Sequence, residues 1–282
     1  FGYDTFDELG PDKWSSEYKE CAGKYQSPIN IDEKFVTKVS LPSLKFGGIR
    51  ELPWSATLEN NGHTVMLKLN STTPIQISGG PLSSTYSFEQ LHFHWGVNDS
   101  VGSEDTINQK SFPMELHQVY FNTKYGRFKN ALKHIDGLVV LASFYKLSDV
   151  DNRAYAELVD GLKVVESPGN SVTLPYILPL EYLLPINRER YFTYHGSLTT
   201  PPCLEVVTWI DFKHPVLISE NQLQQFRSLQ GPHGPLTHNA RPIQPLHGRQ
   251  VLYNYEDRTV TKPTCSVLAI NIILLLLYGC NY

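Results

Sequence analysis

Gln90-Leu91-His92-Phe93-His94-Trp95 and Met114-Glu115-Leu116-His117-Gln118-Val119 are the two stretches on which the reading of this chain turns. If both are strands, successive side chains alternate faces, so His92 and His94 point one way together, and so do Glu115 and His117. Three imidazoles then converge on one ion. A Zn2+ held by three neutral histidine nitrogens keeps a fourth position open for water, the arrangement of catalytic rather than structural zinc. A His-x-His pair alone is a weak signal, and a hydrogen-bonded polar cluster in the core explains it too. The context strengthens the metal reading: Glu115 stands beside His117 and Gln90 beside His92, each the type of group that orients a ligating imidazole.

Working outward, strand character recurs on both sides. A Pro turn followed by alternating apolar residues in Gln26-Ser27-Pro28-Ile29-Asn30-Ile31-Asp32 opens a strand edge. Residues 57–58 and 63–69 flank the Asn60-Asn61-Gly62 turn, with Val65, Leu67 and Leu69 alternating, and His63 is predicted to begin the second strand and point with that apolar set. The apolar run over residues 137–145 reads as a central strand buried on both faces. Residues 151–165 carry Tyr155, Leu158, Val159 and Leu162 at helical spacing. A shorter helix over 219–229 opens on a capping box, Ser219 with Gln222 three residues later. A further short helix is expected over 12–18, with Trp14 in the core, and strand character returns over 191–210 around a polar loop.

The 282 residues, 41% hydrophobic and 18% charged, describe an ordinary globular chain with material for a sizeable core. The net charge of −4 and the absence of a basic run exclude a nucleic-acid footprint. Nineteen Gly and 19 Pro spread along the chain favour many strands joined by turns. With no internal repeat and no linker between Asp32 and Tyr255, one domain is expected. Cys21, Cys203, Cys265 and Cys280 allow three full pairings. Asn70-Ser71-Thr72 and Asn98-Asp99-Ser100 are N-glycosylation sequons, placing Asn70 and Asn98 in surface loops of a secreted protein. Phe1 is not Met and no leader precedes it, so the chain reads as a mature or trimmed form. The apolar run over 267–278 is shorter than the roughly 20 residues that span a bilayer. A glycosylphosphatidylinositol attachment signal is preferred for it over a buried terminal strand, although Thr264-Cys265-Ser266 abuts the run without a polar spacer.

The chain resembles the α-class carbonic anhydrases. The matching pieces, in family order, are Gln26-Ser27-Pro28-Ile29-Asn30-Ile31, Asn60-Asn61-Gly62-His63, Gln90-Leu91-His92-Phe93-His94-Trp95-Gly96, Glu104, Glu115-Leu116-His117, Asn122-Thr123-Lys124-Tyr125-Gly126, Tyr194-His195-Gly196-Ser197-Leu198-Thr199-Thr200-Pro201-Pro202-Cys203 and Arg241-Pro242-Ile243-Gln244-Pro245-Leu246. They cover residues 1–255. The resemblance implies an α+β, β-dominated single domain: a large, twisted, mostly antiparallel sheet with short peripheral helices and a conical active-site cleft. It places the catalytic domain at 1–258 and a hydrophobic tail at 259–282.

It further implies Zn2+ on His92, His94 and His117, oriented by Gln90, Glu115 and Asn239, and reversible hydration of carbon dioxide to bicarbonate and a proton by a hydroxide on the metal. Thr199 is then expected to accept that hydroxide's hydrogen bond and pass its own proton to Glu104, with Thr200 beside it. Carbon dioxide has no charge and little dipole, so its site is an apolar wall; Val119, Val140, Leu198, Val207 and Trp209 match that wall. His63 matches the proton shuttle, an imidazole able to exchange protons near neutral pH through water, and Tyr3 and Asn61 match residues that order the intervening water. Phe1 replaces a Trp, and Met66 stands where many relatives carry a polar residue. Cys21 and Cys203 match the pair that extracellular relatives join. Ester cleavage is expected as a side activity, and a recognition domain that has lost its zinc is the rival reading. Partners are small molecules (carbon dioxide, bicarbonate, water) and, through a lipid anchor, a membrane surface. An extracellular, secreted or cell-surface location follows, and oligomeric state is left open.

Overall fold

The computed structural model describes residues 1–4 and 9–255. Among them, twelve strands form one sheet. Its main path runs Ser171–Thr173, Ser55–Asn60, Val65–Asn70, Tyr86–Trp95, Met114–Asn122, Leu138–Ser148, Val207–Ser219, Tyr191–Gly196, Leu252–Asn254 and Thr37–Val39. Two neighbouring pairs on this path are parallel, Leu138–Ser148 with Val207–Ser219 and Leu252–Asn254 with Thr37–Val39; the other pairs are antiparallel. The centre is the Leu138–Ser148 strand, whose first eight residues are buried without alternation, as a strand covered on both faces requires.

The two faces carry different cores. Leu91, Phe93, Trp95, Leu116, Leu141, Ile210 and Phe212 belong to the larger apolar cluster, which the Ala156–Leu162 and Glu220–Arg227 helices cover with Leu158, Leu162, Leu223 and Phe226. Val119, Val140, Val207, Trp209, Phe192 and Tyr194 form a second cluster. The sheet thus separates a helix-covered side from a side that holds the histidines.

The helices are short. The pattern over 151–165 yields a 3-10 turn, Arg153–Tyr155, capped by Asn152 accepting from the Ala154 amide, and then only the Ala156–Leu162 helix. Ser219 and Gln222 form the expected capping box, and Trp14 is fully buried in the four-residue Trp14–Glu17 helix. His63 departs from expectation. Asn61 Oδ1 accepts from the His63 and Thr64 amides at 2.9 Å, closing an Asx turn, so the strand starts at Val65 and His63 stays in the turn. Gly62, at φ +87, supplies the left-handed residue this turn needs. The expected tail, Cys265 and Cys280 lie outside the described residues.

Candidate metal centre

Register builds the site. The Tyr86–Trp95 and Met114–Asn122 strands pair antiparallel with His92 opposite His117 and His94 opposite Glu115. Residues opposite one another in a ladder share a face, so the period-2 alternation expected for each strand becomes a convergence of three rings. Their centroids lie 5.1 Å (His92 to His94), 5.2 Å (His92 to His117) and 4.5 Å (His94 to His117) apart.

One nitrogen of each ring is tied back to the protein. His92 Nδ1 lies 2.9 Å from Gln90 Oε1, His94 Nδ1 2.8 Å from the Asn239 carbonyl oxygen, and His117 Nε2 2.7 Å from Glu115 Oε1. The Gln90 and Asn239 oxygens are acceptors, as is Glu115 when ionised, so each imidazole donates there and keeps its lone pair on the other nitrogen. The three free nitrogens fall within 4.8 Å of one another, and His94 Nε2 is buried without a hydrogen-bond partner. A buried acceptor left unpaired among two others is the donor set that a divalent zinc satisfies. Burial holds all three imidazoles neutral: it lowers His92 and His94 well below the usual histidine range, with repulsion among the rings adding to it, and takes His117 down to about 3. Neutral imidazole is the ligating form.

A layer of buried polar groups backs the rings. Asn239 Nδ2 donates to the His63 and Phe93 carbonyls, and Asn239 Oδ1 accepts from the Trp95 amide. The second oxygen of Glu115 accepts from the Glu104 and Asp105 amides; burial still pushes Glu115 up to about 8, with those amides pulling the other way. Glu104 itself is buried. Its Oε1 accepts from the Arg241 amide at 2.8 Å, and its Oε2 lies 3.3 Å from His94 Nε2. Burial raises Glu104 well above the usual carboxylate range, and the hydrogen bond from the Thr199 hydroxyl is the main opposing contribution.

Thr199 and Thr200 sit in a loop fastened at several points. The Ser27 amide donates to Ser197 Oγ and the Ser197 amide to Ser27 Oγ; Trp209 Nε1 donates to the Ser197 carbonyl. The Cys203 amide donates to the Thr200 carbonyl, and Cys203 is joined to Cys21 by a disulfide. Gly196 precedes the loop where a Cβ would come within 2.1 Å of Ser27 Oγ, so no side chain fits. Val119, Val140, Val207 and Trp209 gather in the second apolar cluster with Leu198 packed against them, and the Trp209 ring lies 4.8 Å from that of His117.

His63 is half-buried and stacks on Phe1, centroids 3.9 Å apart and planes 12° from parallel. Tyr3 is buried with its hydroxyl unpartnered, near enough for Glu104 to raise it further above the usual tyrosine range. Asn61 is exposed, its carbonyl oxygen spent on the turn. The sequence reading passed over Arg241, Ser27, Ser197 and Asp105 as individual contributors. Ser27, Ser197 and Arg241 lie within quoted motifs, but their contacts join segments some 140 to 170 residues apart, which no local periodicity reveals.

A three-histidine centre on a large sheet, with an apolar cluster on one side and a buried carboxylate on the other, defines a mononuclear zinc enzyme of the hydrating or hydrolysing class. A sequence model described as eukaryotic-type carbonic anhydrase matches residues 9–255. The chain is 40% identical over 263 residues to carbonic anhydrase 15 of Mus musculus, covering 88% of this chain and 81% of that protein. It is also 40% identical over 259 residues to carbonic anhydrase 7 of Homo sapiens (89% and 96%), and 35% identical over 264 residues to carbonic anhydrase 3 of Bos taurus (89% and 97%). The chain belongs to the eukaryotic-type carbonic anhydrase family. It is a zinc-dependent carbonate dehydratase, its reaction is hydration of carbon dioxide, and His92, His94 and His117 are the group positioned to hold the metal.

Proposed function

We propose that Thr199, Glu104 and His63 divide the proton handling of this reaction among themselves, and that Val119, Val140, Leu198, Val207 and Trp209 receive carbon dioxide. Zinc, when bound, supplies a Lewis acid that makes water nucleophilic near neutral pH. The chain's residues do the rest. Gln90, Glu115 and Asn239 hold the three rings in their ligating tautomers. Glu104 takes the Thr199 hydroxyl proton into a hydrogen bond, leaving the Thr199 oxygen free to accept one from the nucleophile and so direct its remaining lone pair. Thr200 lies beside Thr199 in the same loop and contributes to substrate binding. The apolar side chains beside His117 exclude water from the position opposite, where a small uncharged electrophile gains more than an ion.

His63 is the acceptor that carries the released proton outward, with Tyr3 and Asn61 ordering water between it and the centre. Its ring lies in a turn rather than on the sheet and stacks on Phe1. Burial lowers His63 below the usual histidine range, so it gives up a proton readily. The observation that carries the reading is the convergence of three oriented lone pairs against Glu104 and Thr199. Stopped-flow hydration assays test it: His63→Ala is expected to lower turnover in weak buffer by about tenfold to a hundredfold, with recovery on adding imidazole, and unchanged turnover would remove the role. Ester cleavage is a side activity of the same nucleophile.

The domain boundary is placed at 258, with 259–282 a lipid-attachment tail. The Cys21–Cys203 disulfide fits an oxidising compartment, and together with the Asn70 and Asn98 sequons it supports a secreted or cell-surface location. Asn70 and Asn98 are exposed, as glycan acceptors must be, although Asn70 ends the Val65–Asn70 strand rather than lying in the expected loop.

A further inference from the structure

Away from the metal centre, residues 148–154, 178–188 and 215–217 enclose a groove of 770 Å³, none of whose lining residues belongs to the site. Four large apolar side chains stand in its walls with most of their surface open: Val150 at 73% exposure, Tyr182 at 58%, Ile186 at 101% and Leu217 at 51%. Scattered exposed apolar residues are ordinary, but a contiguous set with a polar rim marks a contact surface. Some of the rim charges are matched internally. Glu181 accepts from Arg188 Nη2 at 2.9 Å and from Arg50 Nε at 3.0 Å, and Asp151 accepts from the Ser219 hydroxyl. What remains for a partner is largely apolar, with Arg153 adding a cation at the rim.

The position of the groove identifies the partner. Asn254, one residue before the described chain ends, donates from Nδ2 to the Glu189 carbonyl at 2.7 Å, and Glu189 follows Arg188 of the groove wall. The Leu252–Asn254 strand also pairs with Tyr191–Gly196, which sets Asn254 opposite Tyr191. The chain therefore leaves the domain at the edge that carries the groove. Residues 256–264 span at most about 30 Å when extended, and the apolar run over 267–278 follows.

We propose that this groove is the face the domain lays against a phospholipid surface, Val150, Tyr182, Ile186 and Leu217 entering the headgroup and acyl boundary. The proposal rests on the reading of the tail as a lipid attachment. A short tether beside the groove raises the effective concentration of membrane at that face to the millimolar range, so a weak apolar contact becomes persistent. Because the contact is chiefly apolar, anionic lipid and salt change it only a little. With the groove toward the bilayer, the domain has a fixed orientation and the residues of the metal centre stay clear of the contact.

The test measures amide hydrogen exchange on the full chain with and without phosphatidylcholine vesicles, for wild type and for Ile186→Asp/Leu217→Asp. Both side chains are exposed, so the variant is expected to fold, and carbon dioxide hydration at the wild-type rate checks that it has. Wild type should show slower exchange over 148–154, 178–188 and 215–217 by about tenfold with vesicles, little changed by added salt; the variant should lose this protection while the tail still holds it to the vesicles. Retention on vesicles with no slowing at the groove overturns the groove contact and leaves the tail reading intact. Protection in wild type together with complete release of the variant supports the groove and overturns the tail. Protection that rises with protein concentration in the absence of vesicles identifies a second copy of the chain as the occupant and overturns the lipid proposal.

Discussion

At the scale of single residues, the metal centre depends on tautomers that second partners impose. Gln90→Leu removes the acceptor at His92 Nδ1 without touching the ligating nitrogen, and is expected to weaken zinc binding by about 10- to 100-fold; competition against a chelator measures it. The pH dependence follows from the same rings. Folding lowers the pKa of His92, His94 and His117, chiefly by burial. As pH falls below about 6.5, the unfolded chain takes up protons that the folded chain refuses. Stability contributed by the neutral histidines is therefore complete above that pH and declines toward acid. Thermal melts of metal-depleted protein at pH 7.5 and pH 5 should show the lower midpoint at pH 5, and a midpoint independent of pH would contradict the burial argument. Thr199→Ala is expected to reduce hydration about a hundredfold, with zinc content unchanged.

Strands and loops set the next level. The alternation in residues 90–95 and 114–119 suffices to place three histidines on one face, because side-chain direction along a strand repeats every two residues and is legible locally. The turn ahead of Val65 was not legible in the same way. His63 continues the apolar alternation on paper, but Asn61 captures two amides and delays the strand, an outcome decided by side-chain hydrogen bonding that periodicity does not record. The helix expected over 151–165 shortened for a related reason: Asn152 caps a 3-10 turn first, while the buried Tyr155, Leu158 and Leu162 fall where the pattern put them. Among loops, 197–203 is braced by the disulfide to Cys21. Replacing both cysteines by Ser should cost about 5 kcal/mol in the chain-entropy picture for so long a loop, measured by denaturant unfolding, and should lower turnover further by loosening Thr199 and Thr200.

For the whole molecule, fold class and family were legible because the motifs recur in order along residues 1–255 and each carries chemistry that its neighbours complete. Sheet order was not legible: the parallel pairing of Leu138–Ser148 with Val207–Ser219 joins segments about seventy residues apart, and their apolar runs do not specify a partner. Nor was the network in which Arg241 reaches Glu104 and Ser27 reaches Ser197, since it exists only once the sheet has closed. These long-range contacts bring a carboxylate, a hydroxyl and an apolar wall to one metal centre, and the account stands or falls with that centre. The most direct measurement is stopped-flow carbon dioxide hydration on the zinc-loaded chain, with His92→Ala beside it. Rapid hydration by the wild type, lost in the variant and on chelation of zinc, is the predicted result; a zinc-loaded wild type no faster than buffer would contradict it.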